Sequence, residues 1–302
     1  MTGLRCSIES GRLYRPALGE RMRMFKVLAA VLLLHAAAVF AAVPATVEAV
    51  QSPAWLERQG WSQPLSPGQE LHDGDIVRTG AGARAWLLLA EGSRVKLGEA
   101  TRFTLHSSSL EPARYFRGAL DIAAGAFRFT TGLLSKDKRR EVAIRIGTAT
   151  IGIRGTDLWG KTDRDGDLVL LLEGRIGIEH GGAVTELTQP WTYLDAPHGQ
   201  AATVKLLDPE RFRAMARQTE IIAGDGASRI KGKHGLPVVV ANSSEEALET
   251  YDRLREAGFA ARIQPRAVEG GWQYELKLTG FTSPDEAQVA ARRARALLAG
   301  GV

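Results

Sequence analysis

Cysteine is nearly missing from this chain: of 302 residues only Cys6 is one, and it lies ahead of the first apolar run. No disulfide framework or thiolate metal site is therefore expected in the mature protein, and the fold must rest on core burial. Long apolar runs are scarce. Val27–Ala42 is the one candidate, interrupted by His35, and it falls short of the ~20 residues a spanning helix needs. Nothing from Val43 onward is apolar enough to cross a bilayer. Charge of one sign is missing too. The chain holds 39 Lys and Arg against 34 Asp and Glu. Six of the basic groups (Arg5, Arg12, Arg15, Arg21, Arg23, Lys26) and two acidic ones (Glu9, Glu20) lie in residues 1–41. The remainder carries 33 against 32, a net of +1. The basic excess belongs to the N-terminal segment, so no nucleic-acid partner is inferred.

Catalytic constellations are absent as well. His72, His106, His180 and His198 stand singly, without metal-ligand spacing. Asp163-Arg-Asp-Gly-Asp167 alternates carboxylates, but a helical-hand calcium loop wants Gly sixth and Glu twelfth. Here Gly166 is fourth and Gly174 twelfth, so a polar hairpin turn is expected. Ser93 follows a glycine but lacks the second glycine of a nucleophile elbow. Asp73-Gly-Asp75 reads as turn-making carboxylates. No nucleophile–base pair and no paired carboxylates stand out, so no enzyme, metal or cofactor is expected.

An export signal is present. Met24-Phe-Lys26 gives a basic start, Val27–Ala42 the apolar core, and Val39-Phe40-Ala41 a small-x-small cleavage site. Residues 1–41 read as a signal peptide, with Met1–Arg23 either an extended basic region or a start placed too early. The other reading is an uncleaved anchor. No cysteine sits at the cleavage site, which excludes a lipoprotein. The expected location is the periplasm of a Gram-negative bacterium, with no span after cleavage.

Strand signals then recur every eight to twelve residues: Ala45–Gln51, Arg84–Ala90, Ser93–Leu97, Thr101–His106, Arg117–Ile122, Phe127–Thr130 and Val142–Ile146. Gly-punctuated apolar runs continue over 143–179, with Asp165-Gly166 as one tight turn. This predicts a mainly β domain over 44–205, a rolled sheet or β-sandwich. Trp86 and Trp159, in apolar runs, read as core, although a set of five tryptophans could also form a sugar-stacking platform. Leu65-Ser-Pro-Gly68, Leu71-His-Asp-Gly-Asp75, Val77-Arg-Thr-Gly80, Ala85-Trp-Leu-Leu-Leu89, Glu91-Gly-Ser-Arg-Val-Lys-Leu97 and Thr148-Ala-Thr-Ile-Gly-Ile-Arg-Gly-Thr156 together resemble the FecR domain. The resemblance implies a periplasmic β-rich domain. In iron-uptake members it relays a signal from an outer-membrane receptor to a sigma factor, through a cytoplasmic segment and a spanning helix. The leader here is too short to carry an anti-sigma segment, so that role is not carried over.

Asp208-Pro-Glu-Arg-Phe212 opens a connecting helix expected over 206–222, with Phe212, Met215, Thr219 and Ile222 on one face. Residues 223–235 carry four glycines and no periodicity, and read as a flexible basic linker. Residues 236–302 read as a second, small α+β domain: a strand over Leu236–Ala241, a helix opened by Ser243-Ser-Glu-Glu246, strands Phe259–Gln264 and Trp272–Leu278, and a helix opened by Ser283-Pro-Asp-Glu286. The two capping boxes echo each other 40 residues apart: Ser243 with Ser283, Glu246 with Glu286. The layout is βαββα, an antiparallel sheet with both helices on one face.

The helix starts, Leu254-Arg-Glu-Ala-Gly-Phe259, the Tyr274 strand and Gly280-Phe-Thr-Ser-Pro-Asp-Glu-Ala287 resemble a SPOR domain, a peptidoglycan-binding module. The usual first-strand Gln-x-Gly-x-Phe is replaced by Val238-Val-Val-Ala-Asn242. The resemblance implies that an open sheet face binds glycan strands stripped of their stem peptides. Strand parity places Gln273, Glu275 and Lys277 on that face, joined by Arg262 and Gln264, with Trp272 at the strand edge. Arg262, Gln264, Trp272, Gln273 and Lys277 are therefore the candidate glycan-binding residues. The expected function is a non-enzymatic envelope protein that tethers a FecR-like binding domain to peptidoglycan and contacts an envelope protein. The alternative is a periplasmic sensor or regulator that relays a signal to a membrane protein, with the second domain as a protein-contact module.

Overall fold

Eight short strands open the fold: β1 (Ala45–Gln51), β2 (Ala54–Arg58), β3 (Trp61–Pro64), β4 (Glu70–Leu71), β5 (Ile76–Thr79), β6 (Arg84–Leu89), β7 (Arg94–Leu97) and β8 (Arg102–Ser107). They belong to a computed structural model that describes residues 43–109, 114–132 and 139–299; the export signal expected over 1–41 lies outside these. In β6, Ala85, Leu87 and Leu89 are buried while Arg84, Trp86 and Leu88 face outward, the period-2 pattern of a one-sided strand.

Three long strands follow: β9 (Tyr115–Thr130), β11 (Ala149–Asp163) and β12 (Gly166–His180), with β10 (Arg139–Ile146) between the first two. Each long strand serves two layers. The first half of β9 pairs with β8 and, in parallel, with β10; its second half pairs with β7 and β11. Likewise β12 pairs first with β14 (Thr192–Pro197) and then with β13 (Ala183–Leu187). Gly125, Gly155 and Gly174, at φ +91°, +65° and +88°, sit where the strands change layer, and the β11–β12 register slips between Arg154 and Asp157. Positive φ and a bulge let a strand turn a corner without ending. The layers enclose one apolar core that includes Val47, Leu87, Phe103, Phe127, Ile144 and Leu158.

The Asp73-Gly-Asp75 turn shows what its carboxylates do. Asp75 is buried, accepts from two Arg58 nitrogens at 2.7 and 2.6 Å, and accepts from the His72 amide at 2.7 Å. Asp73 accepts from the Ser107 amide at 2.8 Å. Asp75→Ala strands a half-buried guanidinium and an amide. The expected loss of unfolding free energy is about 2 kcal/mol. Urea denaturation reads it, and a wild-type midpoint would contradict the assignment.

After β14 and β15 (Thr203–Leu206) comes α1 (Pro209–Ala216), whose Asp208 cap accepts from the Glu210 amide at 2.8 Å. Phe212 and Met215 pack on Trp159, Leu170, Tyr193 and Leu207. The helix is shorter than the expected 206–222. Beyond Ala216 the chain crosses the outer face of β6, β7 and β9, drawn there by polar anchors. Trp86 Nε1 donates to the Thr219 carbonyl at 3.1 Å, and Glu220 receives Lys96 at 2.7 Å and Arg128 at 3.1 Å. The Asp157 hydrogen bond raises the Arg128 pKa against the opposing pull of burial. Trp86 is consequently half-buried, with Lys96 and Arg229 cations 4.5 and 4.8 Å from its ring, whereas Trp159 is 1% exposed.

Residues 223–235 were expected as a flexible linker and are instead bound. Glu286 accepts from the amides of Gly224, Gly226 and Ala227 at 2.8, 2.5 and 3.1 Å. The glycines supply φ of +90° and +73° for that clasp, not looseness. Within the same stretch, β16 (Ser228–Arg229) pairs with β1 on one side and with β19 (Gly271–Phe281) on the other. Around β19 stand β17 (His234–Ala241) and β18 (Ala261–Val268), both antiparallel to it, with α2 (Ser244–Glu256) and α3 (Pro284–Ala299) packed on a core of Leu254, Phe259, Leu276, Leu278 and the α3 alanines. Trp55 Nε1 donates to the Glu256 carbonyl at 3.0 Å, and the Ala54 amide to Gly258 at 3.2 Å. These contacts overturn the expected fold class, a β domain joined to a separate small α+β domain. The described residues form one mostly β unit whose strands make a connected sheet.

Candidate functional site

Cross-strand register sets the open face of β18 and β19. Arg262 lies opposite Lys277, Gln264 opposite Glu275, and Arg266 opposite Gln273. Alternation puts Leu276 and Leu278 on the helix side and Arg262, Gln264, Gln273 and Lys277 together on the other. Trp272 shares the parity of Leu276 and does not join them; it is 58% exposed at the strand end. Gln273 donates to Asn242 at 3.3 Å, and Glu275 meets Arg266 at 3.6 Å.

One edge of this face borders a cleft of about 680 Å³. Its far wall is the end of β3 with its connection to β4, Gln63–Gly68, and the end of β1; its near wall is β16 to β19. Arg262 and Lys277 line it, with Arg229, Lys231, Lys233, His234 and Arg255. No described Asp or Glu does. Lys231, Lys233, Arg262 and Lys277 make no ion pair among the described residues. Arg229 is stacked on Trp86, and Arg255 has only a 3.9 Å contact with Asp252. Sequence reasoning misses the contribution of the 229–234 stretch, because four glycines and no periodicity over 223–235 read as a loose linker. The signal available was the density of charge in Lys231-Gly-Lys-His234. What the sequence alone does not show is that β16 pins this stretch beside β19.

Among the described residues no three His, Cys, Asp or Glu side chains gather as a metal site, and no helix is long and apolar enough to cross a membrane.

No curated protein matches the chain. Two crystal structures of a candidate anti-sigma factor from Parabacteroides distasonis ATCC 8503, at 1.65 and 2.50 Å resolution, are similar at 14% identity and a TM-score of 0.39 each. They cover 72% of this chain and 90% and 89% of their own. A likeness at that score carries no functional weight. The family model described as FecR protein matches residues 75–177, from the Asp75 turn through the layer-changing corners of β9, β11 and β12. That stretch of the chain is similar to a FecR domain.

Proposed function

We propose that this protein is an exported, non-enzymatic regulator in a Gram-negative periplasm, sensing a signal and relaying it to a membrane protein by direct contact. The FecR match at residues 75–177 is the observation that carries the reading. A surface suited to contact supports it. β15 is exposed at all four positions, with Val204 at 51% and Leu206 at 67%, and among the described residues it pairs with β14 alone. Such an edge offers free backbone groups to an extended segment of a partner.

Cells lacking the protein should show a discrete shift in transcripts under membrane-protein control, and the full chain should restore it. A Val204→Lys, Leu206→Asp variant should fold but fail to restore. Unchanged transcripts, with the full chain co-sedimenting on purified sacculi, would reverse the reading in favour of wall binding. Peptidoglycan glycan binding through Arg262, Gln264, Trp272, Gln273 and Lys277 has less support. The family match stops at residue 177, and Trp272 stands apart from the other four.

A further inference from the structure

We propose that the cleft between Gln63–Gly68 and the β16–β19 face binds a small polyanion carrying clustered phosphate groups. This site is separate from the β15 edge and holds whether or not the regulator reading does.

Four observations converge. The volume, about 680 Å³, lies in the range of small-molecule sites. The lining is basic, and among the described residues no carboxylate neutralises it. Several cations elsewhere in the fold are matched: Arg58 by Asp75, Arg94 by Glu48, Arg128 by Asp157 and Glu220. Here Lys231, Lys233, Arg262 and Lys277 go unmatched among the described residues. Finally, Arg262 and Lys277 are direct cross-strand partners. Like charges opposite each other weaken a sheet, so the unliganded face holds a repulsion that an anion would remove.

Charge density selects the ligand class. A phosphate monoester carries about −1.5 to −2 at neutral pH, so two phosphates balance four cations inside a small volume. Carboxylates carry one charge each, and four of them need a larger molecule. Arg262 can grip a phosphate through two nitrogens, while the lysines act as point charges. Both walls would touch the ligand, tying the β3–β4 connection to the β16–β19 face.

The test uses the chain from Val43 onward, with tripolyphosphate as a free anion, glucose 1,6-bisphosphate as phosphates carried on a sugar, and citrate as the carboxylate arm. Calorimetry and thermal melting should show binding of at least one phosphate probe, with a raised Tm and an affinity that falls as salt rises. Arg262→Gln with Lys277→Gln should weaken binding tenfold or more. Arg145→Gln, outside the cleft, should leave it unchanged. Without ligand, Lys277→Gln alone should melt at or above the wild-type temperature, because it removes the repulsion. This separates loss of a site from loss of the fold. Which phosphate probe binds more tightly distinguishes a free ion from a phosphorylated sugar. No Tm shift with either phosphate probe, or equal binding by the double variant, would overturn the proposal. Citrate binding as tightly as the phosphates would overturn the phosphate class.

Discussion

Glu286→Ala should be among the most destabilising single changes outside the FecR-like stretch, lowering unfolding free energy by about 3–5 kcal/mol. The carboxylate is 8% exposed and accepts from three backbone amides, those of Gly224, Gly226 and Ala227. A hydrogen bond to a charged acceptor contributes about 1.5–3 kcal/mol, and a buried donor left without a partner adds its own desolvation cost. Gly226 and Ala227 are buried, so water cannot readily replace the carboxylate. The three terms share one side chain and do not simply add. Glu286→Gln keeps one acceptor oxygen and should lose roughly half as much. Glu246→Ala is the internal control. Its carboxylate accepts from the Asn242 amide at 3.0 Å at an exposed helix start, a capping contact of about 1 kcal/mol or less. Urea unfolding gives the ranking, and hydrogen exchange at the Gly226 and Ala227 amides locates the damage. Glu286→Ala with a wild-type midpoint and protected 226–227 amides would remove the clasp from the account.

Glu246 and Glu286 also show where sequence stops being informative. Both stand three residues after a serine, and both serines cap as their spacing implies: Ser243 Oγ accepts from the Glu246 amide at 3.1 Å, Ser283 Oγ from the Glu286 amide at 3.2 Å. Caps are local, so four residues suffice to recognise one. The side chains then diverge. Glu246 closes back on its own helix start, whereas Glu286 reaches a segment 60 residues earlier. Nothing near Glu286 marks that choice. The same limit explains the linker and the helix. Alternation in Arg84–Leu89 is legible because burial of every second residue is a property of one strand. That Trp86 would hold the Thr219 carbonyl, or that Glu220 would bind Lys96 and Arg128, depends on residues over 90 positions away. Those contacts end α1 at Ala216 and turn an apparent pair of domains into one unit. For the cleft, Arg262 and Lys277 follow from parity, but Lys231 and Lys233 join them only through the β16 pairing with β1 and β19.

Gly174→Ala should disrupt the FecR-like stretch itself, by about 2–5 kcal/mol. Two separate costs meet at this corner. The backbone is left-handed at φ +88°, which costs a residue with a Cβ about 1–2 kcal/mol. The new Cβ would also overlap the Gly155 carbonyl oxygen and come within 3.0 Å of Thr156 Cγ2. The obstacle is backbone, held by its own corner at Gly155, φ +65°, so neither strand can retreat without breaking the β11–β12 register; overpacking of this kind adds about 1–3 kcal/mol. Two neighbours separate the terms. Gly182, at φ +80°, has nothing within 4 Å of the position a Cβ would take, so Gly182→Ala carries the conformational cost alone and should lose about 1–2 kcal/mol. Gly177 lies in β12 with open space and no left-handed φ, so Gly177→Ala should be neutral or slightly stabilising, since alanine has fewer unfolded conformations to lose. Thermal and urea unfolding of the three variants should therefore fall in the order 177, 182, 174. Equal losses at 174 and 182 would mean that the close approach of β11 and β12 contributes nothing, and that the corner is held by backbone conformation alone.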